Sequence, residues 1–352
     1  MVPDSEGFSY PHINVEGCVS CYQCTQVCPV LKPKSTPNVP VVYGAWNPNQ
    51  QVRKDSSSGG IFSLLAQDTI AQGGVVFGAA FDSKLHLRHT AAFTAEQCVQ
   101  FRGAKYVQSD LSSVYPQIKA WLRTRPVLFS GTPCQVDGLY QYLGARPDNL
   151  TTCDVVCHGV PSPSVWGDTV AYWAQKAKSP VSRVDFSEKV TGWSKSHLTI
   201  HYENGCIDSA PFDETPYGHA INQGLILRPS CHNCRYASTT RPGDLTLGDF
   251  WGLDKDQFPD QHDKGISLLM VNTAHGSYIF DQLPMEKKKC CLNKAVAGNA
   301  ALSAPLPRSP QRASFFATYA VEPFETVYKR FYKLPAVPVR LAQEQLHKLL
   351  HR

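Results

Sequence analysis

The amino-acid sequence predicts an α/β protein that begins with a small cysteine-rich segment, and three observations support this prediction. Apolar stretches of strand length alternate with helical patterns from residue 55 onward, which is typical of a sheet with parallel strands. A chain of 352 residues, 42% of them hydrophobic, suffices for about two domains with a sizeable core. The stretch Leu31 to Pro40 carries three prolines without periodicity, and this predicts a linker after the first segment.

Composition argues against several classes of protein. The net charge is +5 and the basic residues are scattered apart from Lys287 to Lys289, so no nucleic-acid surface is predicted. The longest apolar stretches, such as Val75 to Phe81, are far shorter than the ~18 residues that cross a bilayer. The first residues lack the features of a signal peptide, so we expect a cytoplasmic chain whose 13 cysteines are reduced.

The first segment carries a run of four cysteines followed by a proline, with the spacing C-x2-C-x2-C-x3-C-P: Cys18, Cys21, Cys24, Cys28 and Pro29. This spacing is typical of bacterial ferredoxins, in which the thiolates hold a 4Fe-4S cluster. The alternative is a four-cysteine zinc site, which usually has two separated C-x2-C pairs. We therefore interpret residues 1–35 as a partial ferredoxin-type module.

Such modules contain two runs, because the fourth cysteine of each run reaches across to the other cluster. This sequence has one run, and Met1 falls where the link between two runs would lie. We therefore expect an incomplete N-terminal cluster and an iron content nearer four than eight, given about four irons in each cubane.

The first predicted helix follows Asp55, where serines and two glycines precede apolar residues at helical spacing up to Gly73. Free N–H groups at a helix start favour an anion, and glycine lets a phosphate approach the backbone. An ordinary helix cap explains the same residues, and the residues alone favour that explanation. We predict further elements at 75–81, 85–93, 112–123, 127–130, 135–143 and 152–156, then strands at 183–187, 197–202 and 243–252.

A second set of cysteines is placed by this α/β pattern. Cys134 and Cys157 follow two successive predicted strands, and ligands of such sheets lie beyond the carboxyl ends of the strands. Cys231 and Cys234 add a C-x2-C pair, which is a metal or redox spacing in a cytoplasmic chain. Taken singly, Cys134 or Cys157 could be a buried small apolar residue, and the C-x2-C pair could be a zinc knuckle.

Six motifs stand in the order seen in one known family: Ser56-Ser57-Ser58-Gly59-Gly60, Arg102 to Ser109, Gly131-Thr132-Pro133-Cys134-Gln135, Cys157-His158-Gly159, Cys231 to Cys234, and Gly248 to Gly252. The chain resembles the coenzyme F420 hydrogenase/dehydrogenase beta-subunit family of iron-sulfur flavoproteins over nearly its whole length. The resemblance implies a flavin-binding α/β domain at 41–150, a C-terminal α/β domain at 151–330 and, after it, a helical tail at 331–352.

The resemblance also implies cofactors and their ligands. Cys134, Cys157, Cys231 and Cys234 would hold a 4Fe-4S cluster beside FAD. His158 would lie at the flavin face and donate a proton, although the residue alone favours a histidine that forms hydrogen bonds in the core. The residues implied for FAD are Ser57, Ser58, Gly59, Gly60, Lys105, Tyr106, Gln108, Ser109, Gly131, Thr132, Pro133 and Gly159.

The function expected from these features is an oxidoreductase. It would pass electrons between clusters and FAD and transfer hydride to or from an organic substrate, such as a deazaflavin or another reducible metabolite. Expected partners are a redox protein or ferredoxin and this small-molecule substrate, with neither nucleic acid nor membrane insertion. Two alternatives stay open: an electron-relay subunit that turns over nothing itself, and a zinc-stapled binding protein.

Overall fold

The computed structural model describes residues 1–31, 39–253, 255–261 and 263–332, so most of the predicted linker and helical tail lies outside the described residues. The strands are β1 (Val2–Pro3), β2 (Ser9–Tyr10), β3 (Val41–Trp46), β4 (Val75–Phe81), β5 (Leu87–Ala92), β6 (Val127–Gly131), β7 (Leu150–Val155), β8 (Val181–Glu188), β9 (His197–Tyr202), β10 (Ile207–Pro211), β11 (Leu245–Asp249), β12 (Ser267–Val271) and β13 (Glu286–Cys290). The helices are α1 (Gln23–Gln26), α2 (Gln50–Lys54), α3 (Ile61–Ala71), α4 (Ala95–Cys98), α5 (Val114–Trp121), α6 (Pro133–Leu143), α7 (Pro163–Ala177), α8 (Pro216–Asn222), α9 (Ala274–Gln282), α10 (Leu292–Gly298), α11 (Arg312–Tyr319) and α12 (Phe324–Phe331).

The largest sheet has eight strands in the order β13-β3-β12-β11-β7-β6-β4-β5. The four strands β11, β7, β6 and β4 run parallel, and the strands on either side pair antiparallel. This mixed α/β sheet confirms the predicted fold class. The sheet takes strands from both sides of residue 150, so the domain division predicted there runs through one continuous sheet.

Helices cover both faces of the sheet because the central strands are apolar on both sides. In β4, Val76 packs with α3 on one face, whereas Val75 and Phe77 pack with α5 and α6 on the other. This arrangement leaves the carboxyl ends of β6, β7 and β11 together at one edge, where connecting loops carry most of the predicted site residues.

A second core joins the small sheet β10-β9-β8 to helices α7, α8, α11 and α12. Trp166, Phe186 and Tyr217 are fully or almost fully buried there. The N-terminal residues also dock into this core, with Phe8 fully buried and both carboxylate oxygens of Glu6 accepting from the buried Arg312 guanidinium. The start of the chain is thus an integral part of the second core.

None of the helices in the described part of the chain is long and apolar enough to cross a membrane.

Candidate metal and cofactor site

The four cysteines of the predicted central site lie on three separate segments. Cys134 is the second residue of α6, directly after β6, and Cys157 follows the end of β7. Cys231 lies within the short 3-10 helix Pro229–Asn233, and Cys234 immediately follows that helix. Since β6 and β7 are neighbouring parallel strands, their carboxyl ends deliver the first two thiols to one edge of the sheet.

The structure brings these four thiols together. Burial raises the pKa of Cys157 well above its ordinary value, and Cys134, Cys231 and Cys234 raise it further. Burial likewise raises the pKa of Cys231 to about 11, with contributions from Cys134 and Cys234. Thiols that disfavour each other's ionisation in this way are close neighbours, and a shared cation would relieve the repulsion between their thiolates.

Spacing between these sulfurs distinguishes a cluster from a single ion. A zinc ion holds four thiolates at about 2.3 Å from the metal, which places the sulfurs within about 4 Å of each other. Among the described residues, the group of ligand atoms within 4.8 Å of one another is Asp185, Glu188 and His201, and it includes no thiol. The cysteine arrangement is therefore wider than one zinc ion requires.

A glycine, Gly159, is required where the loop of Cys157 packs against the segment of Cys231. The backbone of Gly159 has φ +126°, and a Cβ there would lie 3.1 Å from Cβ of Cys231 and 2.8 Å from Leu227. Its N–H also donates to the sulfur of Cys157. The structure thus gives Gly159, one of the residues implied for FAD, a role in packing the thiols.

A buried acid on α6 fixes the C-x2-C loop. Asp137 lies one turn beyond Cys134 and accepts hydrogen bonds from the Tyr236 hydroxyl at 2.5 Å and from Arg235 at 3.2 Å. Further along the loop, the buried Arg241 donates to Asp154 of β7 at 2.7 Å. These contacts hold Cys231 and Cys234 against the strand ends that carry the other two thiols.

A hydrogen-bonded chain also holds the loop before Cys134. The Gln135 side chain accepts from the Thr132 N–H at 2.8 Å and donates to Ser109 Oγ at 2.9 Å. Ser109 Oγ in turn contacts His89 Nδ1 at 2.9 Å, and His89 Nε2 contacts the Ser130 carbonyl at 2.9 Å. Because a carbonyl can only accept, Nε2 carries the proton and Ser109 donates to Nδ1.

His89 was missed by the sequence analysis, since it lies between Arg88 and Thr90 on β5 with no motif around it. It is 6% exposed, and burial lowers its pKa to about 4, so it is neutral at pH 7. Ser109, implied for FAD by resemblance, forms hydrogen bonds with both His89 and Gln135. Pro133 is buried at the first position of α6, and a Cβ on Gly131 would lie 2.9 Å from Gln135 Oε1.

The serine-glycine segment lies at the start of α3, as predicted. Ser57 Oγ accepts from the Ala104 N–H at 2.6 Å, which ties this segment to the 102–106 loop. A Cβ on Gly59 would lie 2.3 Å from the Ala45 carbonyl, so Gly59 is required for packing on the sheet. Gly60 caps α3 with φ +80° and supplies no side chain, so the first N–H groups of the helix receive no side-chain cap from it.

Lys105 and Asp249, which carry opposite charges, lie near this helix start, in a region that we call the recess. Burial lowers the pKa of Lys105 to about 8, although its side chain is only half-buried, as expected for the wall of a recess. Asp249 ends β11 and accepts from Trp193 Nε1 at 3.0 Å, while burial raises its pKa. Tyr106 interacts electrostatically with both Asp249 and Cys157, so it lies between the end of β11 and the cysteines.

Lys189 and Trp193 are further residues that the sequence analysis missed. Lys189 donates to the carbonyls of Arg53 and Ser58 at 2.7 and 2.6 Å, and it fixes the segment before α3. No local motif marks either residue, because they come from the β8–β9 connection of the small sheet.

Gln108 lies apart from the thiols. Its side-chain oxygen accepts from the Ser9 N–H at 3.3 Å, which joins it to the N-terminal strand β2. A cavity of about 300 Å³ opens beside it, and no cysteine lines this cavity. The lining residues are Ser9, His86, Leu87, Arg88, Val107, Gln108, Ser109, Asp110, Pro163 and Trp166.

His158 follows Cys157 and is exposed, yet the surrounding protein lowers its pKa. This position beside a cluster ligand is compatible with a donor at the recess, and its role stays a prediction. In the N-terminal run, Cys18, Cys21 and Cys24 are exposed and Cys28 is half-buried.

A family model and a solved structure are both similar to this chain. Residues 124–296 match the family described as the C terminus of the beta subunit of coenzyme F420 hydrogenase/dehydrogenase. A chain of the F420-reducing nickel-iron hydrogenase complex from Methanosarcina barkeri, solved as a xenon derivative, is similar with a TM-score of 0.50 and 18% identity. The similarity covers 85% of this chain and 94% of that one, and it is a likeness of fold. A search of curated proteins found no match.

The matched segment includes β6, α6, β7, β11 and all four central cysteines, so it spans the part of the chain that builds the thiol site. The family takes its name from hydrogenases and dehydrogenases, which are redox enzymes. Over residues 124–296, about half of its length, the chain matches the C-terminal part of the coenzyme F420 hydrogenase/dehydrogenase beta-subunit family.

Proposed function

We propose that this protein is an iron-sulfur flavoprotein oxidoreductase with a 4Fe-4S cluster at Cys134, Cys157, Cys231 and Cys234. The observation that carries the proposal is the convergence of these four thiols from three segments of the chain. The wide spacing of the sulfurs and the family's redox character support a cluster over a zinc ion.

The thiol site suits a cluster in its chemistry as well as its spacing. The ligands must be thiolates, and burial opposes ionisation of Cys157, so a bound cationic iron core would be needed to keep it ionised. N–H groups of Gly159 and Val160 donate to the sulfurs of Cys157 and Cys231. When bound, a cluster and a flavin together supply the conversion between single electrons and hydride.

We further propose that FAD binds in the adjoining recess, with its diphosphate at the start of α3. Ser63 lies in the first turn of α3, and the Arg102 guanidinium donates to its hydroxyl at 3.0 Å. Lys105 belongs to the same loop, so two cations stand beside the uncapped N–H groups of the helix. A helix N-terminus and cations favour an anion together.

At the substrate end of the recess, His158 would hold or release the proton that accompanies hydride transfer. The substrate class is a reducible organic molecule such as a deazaflavin, and a redox protein or ferredoxin would exchange electrons at the cluster. The relatives named above are a hydrogenase/dehydrogenase subunit family and a chain of a hydrogenase complex, which supports such a partner.

The decisive experiment is anaerobic reconstitution followed by iron and flavin counts. We expect the wild type to bind iron and FAD, and Cys231→Ser to lose the EPR signal of the central cluster. Cys206→Ser is the matched control, because Cys206 is an exposed thiol in the β9–β10 turn outside the site. Unchanged iron and signal in Cys231→Ser, or a colourless zinc-bound wild type, would contradict the proposal.

Turnover separates an enzyme from a relay. The reconstituted protein should reduce or oxidise a deazaflavin with an artificial electron donor or acceptor, and His158→Gln should lower that rate. Electron exchange with a ferredoxin but no turnover with any organic acceptor would favour the relay alternative.

A further inference from the structure

We propose that the Thr132 hydroxyl donates a hydrogen bond to the sulfur of Cys134 and thereby raises the reduction potential of the central cluster. Thr132 Oγ1 lies 3.1 Å from Cys134 Sγ. This inference rests on the proposed assignment of Cys134 as a cluster ligand, and it assigns Thr132 a tuning role instead of direct contact with FAD.

The direction of the bond follows from the state of the ligand. A sulfur that binds iron carries no proton, so it can only accept, and the threonine hydroxyl must be the donor. In the free thiol either atom could donate, so iron binding is what fixes the direction. Cys134 is the second residue of α6, so its sulfur lies near the positive end of that helix.

Thr132 is held in place by groups that cannot easily move. It is the N-terminal cap of α6, and its own N–H donates to the Gln135 side chain at 2.8 Å. Gln135 is fixed by Ser109, and Ser109 is fixed by the buried, neutral His89. These three side chains have a positioning role, because they orient the hydroxyl without touching the sulfur.

Hydrogen bonds to cluster sulfurs stabilise the reduced, more negative state. Removal of the Thr132 hydroxyl should therefore lower the midpoint potential. We expect about a tenfold change in the one-electron reduction equilibrium, which corresponds to about 59 mV.

The test is an EPR-monitored redox titration of reconstituted protein with measured iron content. Thr132→Val keeps the side-chain shape and removes the donor, whereas Thr132→Ser keeps the donor. Thr132→Ala is a second variant without the donor, for use if Thr132→Val binds too little iron. Thr151→Val is the control, because Thr151 contacts His275 on the sheet instead of a thiol.

Support would be a lowered potential in the iron-loaded Val or Ala variant, with wild-type potentials in Thr132→Ser and Thr151→Val. An unchanged potential in the loaded donor-free variant, or an equal shift in Thr132→Ser, would overturn the inference while leaving the cluster assignment intact. A wild type that binds no iron would instead contradict the proposed function, and the inference with it.

Discussion

Tyr236 donates a hydrogen bond of 2.5 Å to the carboxylate of Asp137, and this contact joins the helix of Cys134 to the loop of Cys231 and Cys234. Asp137 is 5% exposed and also pairs with Arg235. Burial and the hydrogen bond to Asp137 both raise the pKa of Tyr236, so the hydroxyl keeps its proton and acts as a donor at neutral pH. The position of the Cys231–Cys234 loop relative to α6 therefore depends on Tyr236 and Asp137, which are not themselves proposed ligands.

We predict that Tyr236→Phe weakens retention of the central cluster. The variant keeps the ring and removes one hydrogen bond to a buried charge, a loss of about 1–3 kcal/mol. Chelator-driven iron release should accelerate at least several-fold. Tyr142→Phe serves as control, because Tyr142 is a more exposed tyrosine on α6, the helix that carries Asp137. Equal release rates in the two variants would show that the Asp137 contact does not hold the site.

The thiol site could be located from sequence because its geometry follows from local rules. Strands at 127–131 and 150–155 are marked by apolar runs, and parallel neighbours must deliver Cys134 and Cys157 to the same edge. The C-x2-C spacing then supplied the remaining pair. The elements predicted between residues 75 and 156 agree with the structure to within about two residues, whereas β3, β12, β13 and α7 were not predicted.

The walls of the recess could not be predicted in this way. Lys189 and His89 reach the site through pairings between elements far apart in sequence, and their neighbours carry no motif. Gly59 and Gly159 also have packing roles that the sequence did not reveal, because a local pattern does not show which distant residues a glycine contacts. The sequence motifs singled out these glycines, but they did not show which neighbouring atoms leave no room for a Cβ.

The two ends of α3 allow a test of the anion site. Gly60 and Gly73 both have left-handed backbones, with φ +80° and +73°. Alanine at either position should lower the free energy of unfolding by about 1–2 kcal/mol. A Cβ on Gly60 lies 3.2 Å from Ser56 Oγ and would shift the first turn, whereas Gly73 has open space. FAD affinity should fall in Gly60→Ala and stay at the wild-type value in Gly73→Ala. Equal affinities in both variants would place the diphosphate elsewhere.

Affinity for FAD should decrease as pH rises past about 8, because burial lowers the pKa of Lys105 to about 8. Only the protonated lysine attracts a diphosphate, so one linked proton gives a slope of up to about tenfold per pH unit above the pKa. Fluorescence titration of apoprotein between pH 7 and 9.5 measures this slope. In Lys105→Gln the affinity should be lower and the slope reduced. An unchanged slope in this variant would assign the titration to Lys189, whose pKa is also lowered to about 8.

We predict that the free energy of unfolding falls in mild acid because of His89. Burial lowers its pKa from 6.5 to about 4, so the folded protein keeps it neutral while the unfolded chain takes up a proton below pH 6.5. Its contribution to stability is complete above pH 6.5 and is lost as pH falls towards 4, by about 1.4 kcal/mol per unit and about 3 kcal/mol in total.

Urea denaturation of the apoprotein at pH 7, 5.5 and 4.5 tests this dependence. His89→Gln removes the titrating group and should flatten the stability profile over this range, although its stability at pH 7 is lower because the bonds to Ser109 and Ser130 are disturbed. His86→Gln is the control, because His86 directly precedes β5 and has an exposed ring. The acid sensitivity should survive in His86→Gln. A wild-type slope in His89→Gln would show that another group carries the titration and that His89 is not held neutral by its burial.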